Sequence, residues 1–185
     1  MSIRLCFVLS TANCTSILIQ QNVDGSTFFH RSWAEYKAGF GSREGNYWHG
    51  NERLHQLTKS GRYKLRIDLQ QRYTGDWFWV EHDAFIVEGE EEDYRLTLGT
   101  FSGNTGNMLR HLSNGGRFST YDRNNYRYSN SAYNNSCPLL VLGGFWYRGC
   151  GYALLNGAFP YFYWFGLPEG NSRLKTCRMS LLCLQ

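Results

Sequence analysis

The sequence predicts an α+β fold: a twisted, mainly antiparallel sheet with short helices and a long irregular C-terminal loop region. Three observations support this class. Several segments alternate between apolar and polar residues, capping residues precede short helical patterns, and periodicity is weak in residues 100–157. We expect that last stretch to be an ordered, functional loop region. With 185 residues, 42% hydrophobic and 17% aromatic, the chain is long enough for one domain, and we expect residues 1–185 to form it.

The first predicted elements are a strand and two short helices. Residues 16–21 contain three consecutive branched apolar side chains, which favours a strand, and the turn residues after them end it. Ser32 is a suitable N-cap for a helix that ends at Gly39 or Gly41. Asn51 is predicted to cap a second helix, which stops near the next glycine.

The remaining predicted strands come from alternation. Residues 63–69 place tyrosine, leucine and isoleucine on one side and charged residues on the other, so one face is buried. Residues 77–87 form an aromatic-rich strand, with residues 94–98 as its hairpin partner. The carboxylates of residues 88–93 are interpreted as a solvated turn rather than a catalytic pair. Residues 173–181 alternate again and should return to the sheet.

Composition and motifs argue against several classes of function. The net charge is +4 and the basic residues are scattered, so nucleic-acid binding has little support. No apolar run reaches the roughly eighteen residues of a membrane span, and the apolar core of residues 1–16 is shorter than in a signal peptide. Histidines are isolated, and neither a nucleophile elbow nor zinc-ligand spacing occurs. We therefore expect no enzyme and no membrane insertion.

Blocks of sequence between residues 5 and 182 follow one another in a characteristic order. They are 20–26 (QQNVDGS), 33–41 (with YKAGFG), 47–58 (YWHGNERLHQLT), 65–69 (LRIDL), 94–99 (YRLTLG), 103–107 (GNTGN), 118–122 (FSTYD) and 137–157. Together they resemble the fibrinogen C-terminal-like domain, the globular module of fibrinogen chains, ficolins, tachylectins, tenascins and angiopoietins. The resemblance implies the fold class given above and a recognition module.

The resemblance also implies how the cysteines are used. Cys137 and Cys150 match the C-terminal disulfide of the family in spacing. Cys6 matches the second cysteine of a pair whose first member precedes the position of Met1 in such domains. The chain is therefore either N-terminally incomplete, with part of the N-terminal subdomain missing, or Cys6 has another partner such as Cys14. Two cysteines lie where the family has none and are expected to be buried thiols: Cys177 and Cys183.

The family holds a calcium ion in an acidic loop after a Phe-Ser-Thr motif. The resemblance places its side-chain ligands on Asn124 and Tyr126 and its backbone ligands on Tyr128 and Asn130, with Asp122 nearby. Calcium takes about six to eight oxygens, and carboxylates usually anchor it. Because this loop offers one neutral amide oxygen and a poor tyrosine ligand beside two arginines, we expect a metal-free loop. Calcium stays open as a cofactor, and no other is expected.

In the lectin members of the family, a pocket for acetylated sugars lies beside that loop. It has aromatic walls, a cis peptide bond before the second cysteine, and often a histidine after it. Here Gly151 stands at the histidine position, and Gly149–Cys150 is the candidate cis bond. A shortened loop before Trp164 leaves the pocket either reshaped or absent, and core filling is the alternative role of its tyrosines. The resemblance implies these ligand-binding residues: Tyr147, Gly149, Cys150, Gly151, Tyr152 and Tyr161.

The leading functional prediction is a secreted, lectin-like recognition module that binds glycans or acetylated groups, in a role such as innate defence. Glycosylation acceptor patterns at Asn13 and Asn134, with the disulfide, favour an extracellular protein. Two alternatives stay open: a protein ligand of a cell-surface receptor or matrix component, as in tenascin- and angiopoietin-type members, and a degenerate copy without a ligand. Oligomerisation, a usual source of avidity, would need sequence that is not present here.

Overall fold

An antiparallel sheet forms the centre of the structure, a computed structural model that describes residues 16–126, 137–168 and 172–184. The strands are β1 (Ile17–Asn22), β2 (Phe40–Gly41), β3 (Tyr47–Trp48), β4 (Tyr63–Gln71), β5 (Trp77–His82), β6 (Phe85–Val87), β7 (Leu96–Leu98), β8 (Phe101–Gly103), β9 (Phe118–Ser119), β10 (Phe145–Trp146), β11 (Ala153–Leu154), β12 (Tyr163–Trp164) and β13 (Leu174–Cys183). The helices are α1 (Trp33–Ala38), α2 (Asn51–Thr58), α3 (Met108–Ser113) and α4 (Cys137–Val141), with short 3-10 turns at Thr27–Phe29 and Glu90–Glu92.

The last strand completes the sheet between two earlier ones. Seven of the described strands form it in the order β2-β3-β1-β13-β4-β5-β8, and neighbouring strands are antiparallel. Leu181 of β13 lies opposite both Ile17 of β1 and Leu65 of β4. The predicted return of residues 173–181 to the sheet is therefore confirmed, as are the predicted α+β class and the first strand.

Alternation along β4 gives the sheet one buried face. Leu65, Ile67 and Leu69 have no exposed surface, whereas the side chains of Arg66 and Asp68 are 27% and 18% exposed. Burying one such aliphatic side chain contributes about 1.5–3 kcal/mol. The apolar residues whose alternation predicts this strand are thus the same residues that pack it against the core.

The two predicted helices form, but only one begins as expected. The Ser32 hydroxyl accepts a hydrogen bond from the Glu35 amide at 3.4 Å, and the Glu35 carboxylate accepts one from the Ser32 amide at 2.9 Å, which caps α1. At α2 the N-cap is Gly50, so the prediction of Asn51 as N-cap is wrong. Asn51 is buried instead, and its Oδ1 accepts a hydrogen bond from the Trp48 indole at 3.1 Å. The same indole N–H lies 3.2 Å from the Tyr36 carbonyl, so Asn51 is one of two acceptors for it inside the core.

The predicted strand over residues 77–87 is two strands. β5 ends at His82 and β6 begins at Phe85. Between them the Asp83 carboxylate accepts a hydrogen bond from the Thr100 amide at 2.6 Å, which turns the chain. β6 then pairs with β7 as the predicted hairpin.

The described parts of residues 100–157 are ordered and contain short elements. They include β8, α3, β9, α4, β10 and β11. Each has six residues or fewer, too short for hydrophobic periodicity to reveal. The region is therefore less irregular than the sequence predicts.

Aromatic residues from distant parts of the chain meet in the core. Tyr36, Trp48, Phe118 and Trp146 have no exposed surface. Their ring centroids lie 5.0 Å apart for Tyr36 and Phe118, 5.1 Å for Phe118 and Trp146, and 5.7 Å for Trp48 and Trp146. The Tyr36 hydroxyl also accepts a hydrogen bond from the Gly144 amide at 2.9 Å. This cluster fixes β9 and β10, from which the candidate site is built.

Acid is expected to destabilise this fold through His82 on β5. Its side chain is fully buried, and burial lowers its pKa below the ordinary 6.5; Arg110 acts in the same direction and a hydrogen bond to Gly99 opposes it. The unfolded chain therefore binds a proton at higher pH than the folded chain, so stability present above pH 6.5 is lost as the pH falls toward the folded-state pKa. Urea unfolding at several pH values should show a flatter decline for His82→Leu. The exposed His111→Leu should keep the wild-type slope, and equal slopes in both variants would contradict the prediction.

Candidate functional site

A disulfide closes the segment that runs from α4 past β10. Cys137 and Cys150 are bonded, with Cα atoms 5.2 Å apart, which is the pairing that the family resemblance implies. The described residues contain one cis peptide bond, at Phe159–Pro160. The Gly149–Cys150 bond is trans, so the cis bond expected there is not formed.

Buried amides attach this segment to the central sheet. Nε2 of Gln20 on β1 donates to the Leu155 carbonyl at 3.1 Å and to Oδ1 of Asn156 at 3.0 Å. Asn156 in turn donates to the Gly144 carbonyl at 2.9 Å. The contact leaves no room for a side chain at Gly143, where a Cβ would lie 2.0 Å from the Asn156 carbonyl oxygen. The backbone between β10 and β11 is therefore held from inside the core.

A cleft of about 250 Å³ opens between this segment and the loops around β9. It is lined by Gly115, Gly116, Arg117, Asn125, Tyr126, Tyr147 and Arg148. The tyrosines provide aromatic walls, and Arg148 provides hydrogen-bond donors at the rim. The guanidinium of Arg117 also reaches the cleft, but its Nη1 is paired with Asp93 at 2.8 Å. Nη1 of Arg148 donates to the Asn114 carbonyl at 2.9 Å, which orients the guanidinium and leaves its other N–H groups available. Aromatic walls with a few fixed polar groups are typical of a small-ligand site.

Of the residues predicted to bind ligand, Tyr147 is the one that lines this cleft. It is 4% exposed, and its hydroxyl donates to the Gly143 carbonyl at 2.6 Å. Burial raises the pKa of Tyr147 well above its ordinary value, so the hydroxyl stays protonated and the ring acts as a wall. The next predicted residues along the chain, Gly149, Cys150 and Gly151, are partly buried.

The other two predicted tyrosines lie at opposite ends of the β11–β12 hairpin. Tyr152 is 42% exposed, and its ring packs edge-on against Phe165 with centroids 4.9 Å apart. Tyr161 is 38% exposed and lies in the turn, where its amide donates to the Ala158 carbonyl at 2.7 Å. The structure thus does not gather the six predicted residues into one pocket.

Several cleft residues were missed by the sequence reasoning. The signal for Arg117 was its position after two glycines and directly before the Phe-Ser-Thr motif. Asn125 and Tyr126 belong to the loop for which the family resemblance implies a calcium site and not a ligand-binding wall. Arg148 adjoins Tyr147 in sequence but carried no pattern of its own. Only the fold brings these separate segments to one opening.

The loop expected to hold calcium uses its polar side chains internally. Oδ1 of Asp122 accepts hydrogen bonds from the Trp33 amide at 2.9 Å and from the Thr120 hydroxyl at 2.7 Å. Oδ1 of Asn124 accepts one from the Tyr126 amide at 3.2 Å. Two predicted ligands lie outside the described residues: Tyr128 and Asn130. Oδ1 of Asp122 and Oδ1 of Asn124 therefore already have protein donors, and the metal-free loop stays a prediction.

An arginine holds this loop against the acidic turn before β7. Nη2 of Arg123 lies 2.5 Å from Oδ1 of Asp93, and Nη1 lies 3.8 Å from Oε1 of Glu90. The guanidinium carbon lies 4.0 Å from the centroid of the Trp33 ring. Asp93 is also bonded to Arg117 at 2.8 Å, and its side chain is 12% exposed. The expectation of a solvated turn holds for Glu91, which is exposed, but not for Asp93, which two arginines hold in a largely buried position.

The remaining described cysteines differ from each other. Cys177 is a buried free thiol, and burial raises its pKa to about 12, as expected for an inert core residue. Cys183 is disulfide-bonded, so its prediction as a buried thiol is wrong. The family resemblance implies no disulfide partner for Cys183, because the family has no cysteine at this position. Cys6 and Cys14 lie outside the described residues.

Neither a cluster of metal ligands nor a membrane-spanning helix occurs in the described ranges. They hold no group of three or more His, Cys, Asp or Glu placed to bind a metal. No helix within them is long and apolar enough to cross a membrane. The predicted glycosylation sites Asn13 and Asn134 lie outside the described residues.

The sheet and the aromatic core define a globular domain of the α+β class, with a cleft beside the disulfide-closed segment. The chain belongs to the family of the C-terminal globular domains of fibrinogen beta and gamma chains, whose family model matches residues 4–170. This membership confirms the resemblance that rested on the ordered blocks of sequence.

Individual relatives extend the comparison. Ficolin-3 of Homo sapiens is 38% identical over 143 residues, which are 77% of this chain and 46% of the relative. Angiopoietin-related protein 6 of Mus musculus is 40% identical over 140 residues, 76% of this chain and 29% of the relative. The solved fibrinogen-like globe domain of human ANGPTL2 is 33% identical, with a TM-score of 0.80, over 92% of this chain and 81% of that one. The chain thus spans less than half the length of these two curated relatives.

Proposed function

We propose that this chain is a secreted recognition domain that binds a polar sugar residue of a glycan in the cleft beside β9 and β10. The observation that carries the proposal is that two tyrosine walls, Tyr126 and Tyr147, lie beside the guanidinium donors of Arg148. A sugar presents apolar ring faces and polar edges, so it packs on aromatic rings while accepting hydrogen bonds at its rim. The similarity to ficolin-3 supports a glycan as the ligand.

The size of the cleft limits what it binds. Its volume of about 250 Å³ is just below the roughly 300–1,000 Å³ of pockets for drug-sized ligands, so it accommodates about one sugar ring. Affinity for one site is then low, and useful binding to a cell surface requires several copies acting together.

The test is a glycan array on the full chain, followed by titration of the best sugar with and without EDTA. Arg148→Ala should weaken binding about tenfold, because a hydrogen bond to a charged group contributes about 1.5–3 kcal/mol. The melting temperature should not change, since the Arg148 side chain is exposed. EDTA should have no effect, because one carboxylate and one neutral amide oxygen beside two arginines make a weak calcium site.

Arg53→Ala is the matched control for that experiment. Arg53 is likewise exposed and donates to one backbone carbonyl, that of His49 at 3.2 Å, but it does not line the cleft. It should bind sugar like the wild type. Silence of the whole array, or an equal loss in both variants, would reject the cleft as a glycan site.

A protein ligand is the second candidate, favoured by exposed apolar side chains near the disulfide. Leu139, Leu140, Tyr152 and Phe165 are 50%, 42%, 42% and 51% exposed. Exposed apolar groups of this kind mark protein contact surfaces, and the similarity to angiopoietin-related protein 6 agrees with this. An array without signal, together with saturable binding to cells stripped of glycans, would select this function. Absence of both kinds of binding would indicate a degenerate copy.

A further inference from the structure

A second cleft, of about 490 Å³, lies on the face of the central sheet that points away from the core. Three arginines and one aspartate line it: Arg43, Arg66, Arg178 and Asp68. The rest of the lining comes from serine, glutamine and leucine side chains of β1 and β13 and from the residue before β1. None of these residues lines the smaller cleft beside β9.

Asp68 holds two of the arginines in place. Its Oδ1 accepts from Nε of Arg66 at 2.9 Å, and its Oδ2 accepts from Nε of Arg178 at 3.1 Å. Arg66 is fixed further, because its Nη1 donates to Glu81 at 2.9 Å and its guanidinium lies 4.5 Å from the centroid of the Trp79 ring. Both side chains are therefore oriented before any ligand arrives, which lowers the entropy cost of binding.

Positive charge exceeds negative charge in this cleft. Within the lining, three guanidinium groups face one carboxylate, and Glu81 pairs with Arg66 from the neighbouring strand. In the described chain no carboxylate pairs with Arg43, and Arg178 uses only Nε on Asp68. The outer N–H groups of these two arginines are thus available to an anion. Lys64, two residues before Arg66 on the same face of β4, adds to the positive charge.

We propose that this cleft binds a sulfated glycosaminoglycan chain, as a second site independent of the sugar cleft. The planar guanidinium matches the oxygens of a sulfate group with paired, charge-assisted hydrogen bonds. No aromatic ring belongs to the lining itself, and the rings beside it are each paired with a guanidinium: Tyr47 with Arg43 at 6.0 Å, Trp79 with Arg66 at 4.5 Å and Trp77 with Arg178 at 6.0 Å. Single-stranded nucleic-acid sites instead leave aromatic faces open for bases to stack on. The lining has only two apolar side chains, Leu18 and Leu182, and lacks the aromatic anchors of a protein interface. A sulfated polysaccharide neutralises the surplus positive charge and needs neither stacked rings nor aromatic anchors.

The test measures binding of a fluorescent heparin octasaccharide to the full chain by anisotropy. Arg43→Gln/Arg178→Gln should weaken binding at least about tenfold, because each lost guanidinium removes charge-assisted hydrogen bonds. The melting temperature should be unchanged, since Arg43 is exposed and the Arg178 side chain is 53% exposed. The matched control is Arg53→Gln/Arg62→Gln, which removes the same charge from exposed positions outside the cleft. The affinity of this control for the octasaccharide should stay within about twofold of the wild type, because salt screens charges that are distant from the cleft.

Three outcomes would overturn the site. An equal loss in the control double variant would mean that only net charge matters. Equal binding of a desulfated octasaccharide would remove the role of sulfate, and equal binding of a single-stranded oligonucleotide of the same charge would favour nucleic acid. Arg148→Ala should keep heparin binding, while the Arg43/Arg178 double variant should keep binding of the array sugar. The experiment can therefore reject the heparin site and the sugar site independently of each other.

Discussion

Replacing Trp146 with alanine is expected to lower the free energy of unfolding by about 3–5 kcal/mol. The indole is fully buried, and its ring centroid lies 5.1 Å from that of Phe118 and 5.9 Å from that of Phe85. Its Nε1 donates to the Tyr94 carbonyl at 2.7 Å, so the substitution leaves both a cavity and an unpaired buried acceptor. Urea unfolding followed by circular dichroism measures the loss.

Trp77→Ala is the matched control, because Trp77 is the same residue type at 52% exposure on the sheet. Its stability should stay within about 0.5 kcal/mol of the wild type, as is usual for surface changes. The loss of unfolding free energy in Trp146→Phe should fall between those of Trp146→Ala and Trp77→Ala, since phenylalanine keeps a ring in the core but lacks the N–H donor. Similar losses at both tryptophans would show that the aromatic core is not where stability is concentrated.

Loss of the Cys137–Cys150 bond is the second large effect. Cys150→Ser is expected to lower the free energy of unfolding by about 2–4 kcal/mol, because the cross-link restricts the unfolded chain over a separation of 13 residues. The affinity of the cleft for sugar should fall as well, since Tyr147 and Arg148 lie inside the closed loop. Calorimetry of the purified variant gives the stability, and titration with the array sugar gives the affinity.

The double variant Cys137→Ser/Cys150→Ser tests whether the bond itself carries the effect. If it does, the single and double variants should lose nearly the same stability, because each removes the same interaction. Losses that simply add would point instead to packing of two separate side chains. Mass spectrometry of unreduced peptides should show the two cysteines in one linked species, and finding both as free thiols would contradict the assignment.

Strands with one buried face could be predicted because their signal is local. The two-residue alternation along β4 and β13 follows directly from the pleat, and burial of the apolar face stabilises the strands. The α1 cap could be predicted for a similar reason, since Ser32 and Glu35 satisfy each other within one turn. The division of residues 77–87 could not, because it depends on a bond from Asp83 to Thr100, across the chain.

The candidate site was less predictable than the fold. The family resemblance located the disulfide and the neighbourhood of Tyr147. It could not show that Tyr152 packs edge-on against Phe165 and does not line the cleft. Nothing in the sequence distinguishes a tyrosine in the wall of a binding site from one on the surface. The partners of Asp93 are also distant in sequence, since Arg117 and Arg123 reach it from the loops on either side of β9.

The order of sequence blocks determined the family, the α+β class and the principal strands, because each depends on short-range pattern or on residues that recur at fixed positions. Tertiary structure alone decided which donors share an opening and which charges stay unpaired. Arg117 and Arg148 meet at one cleft, and Arg43 and Arg178 at another, only after the strands have paired. Recognition depends on distances between side chains far apart in sequence, and those distances exist only in the folded chain.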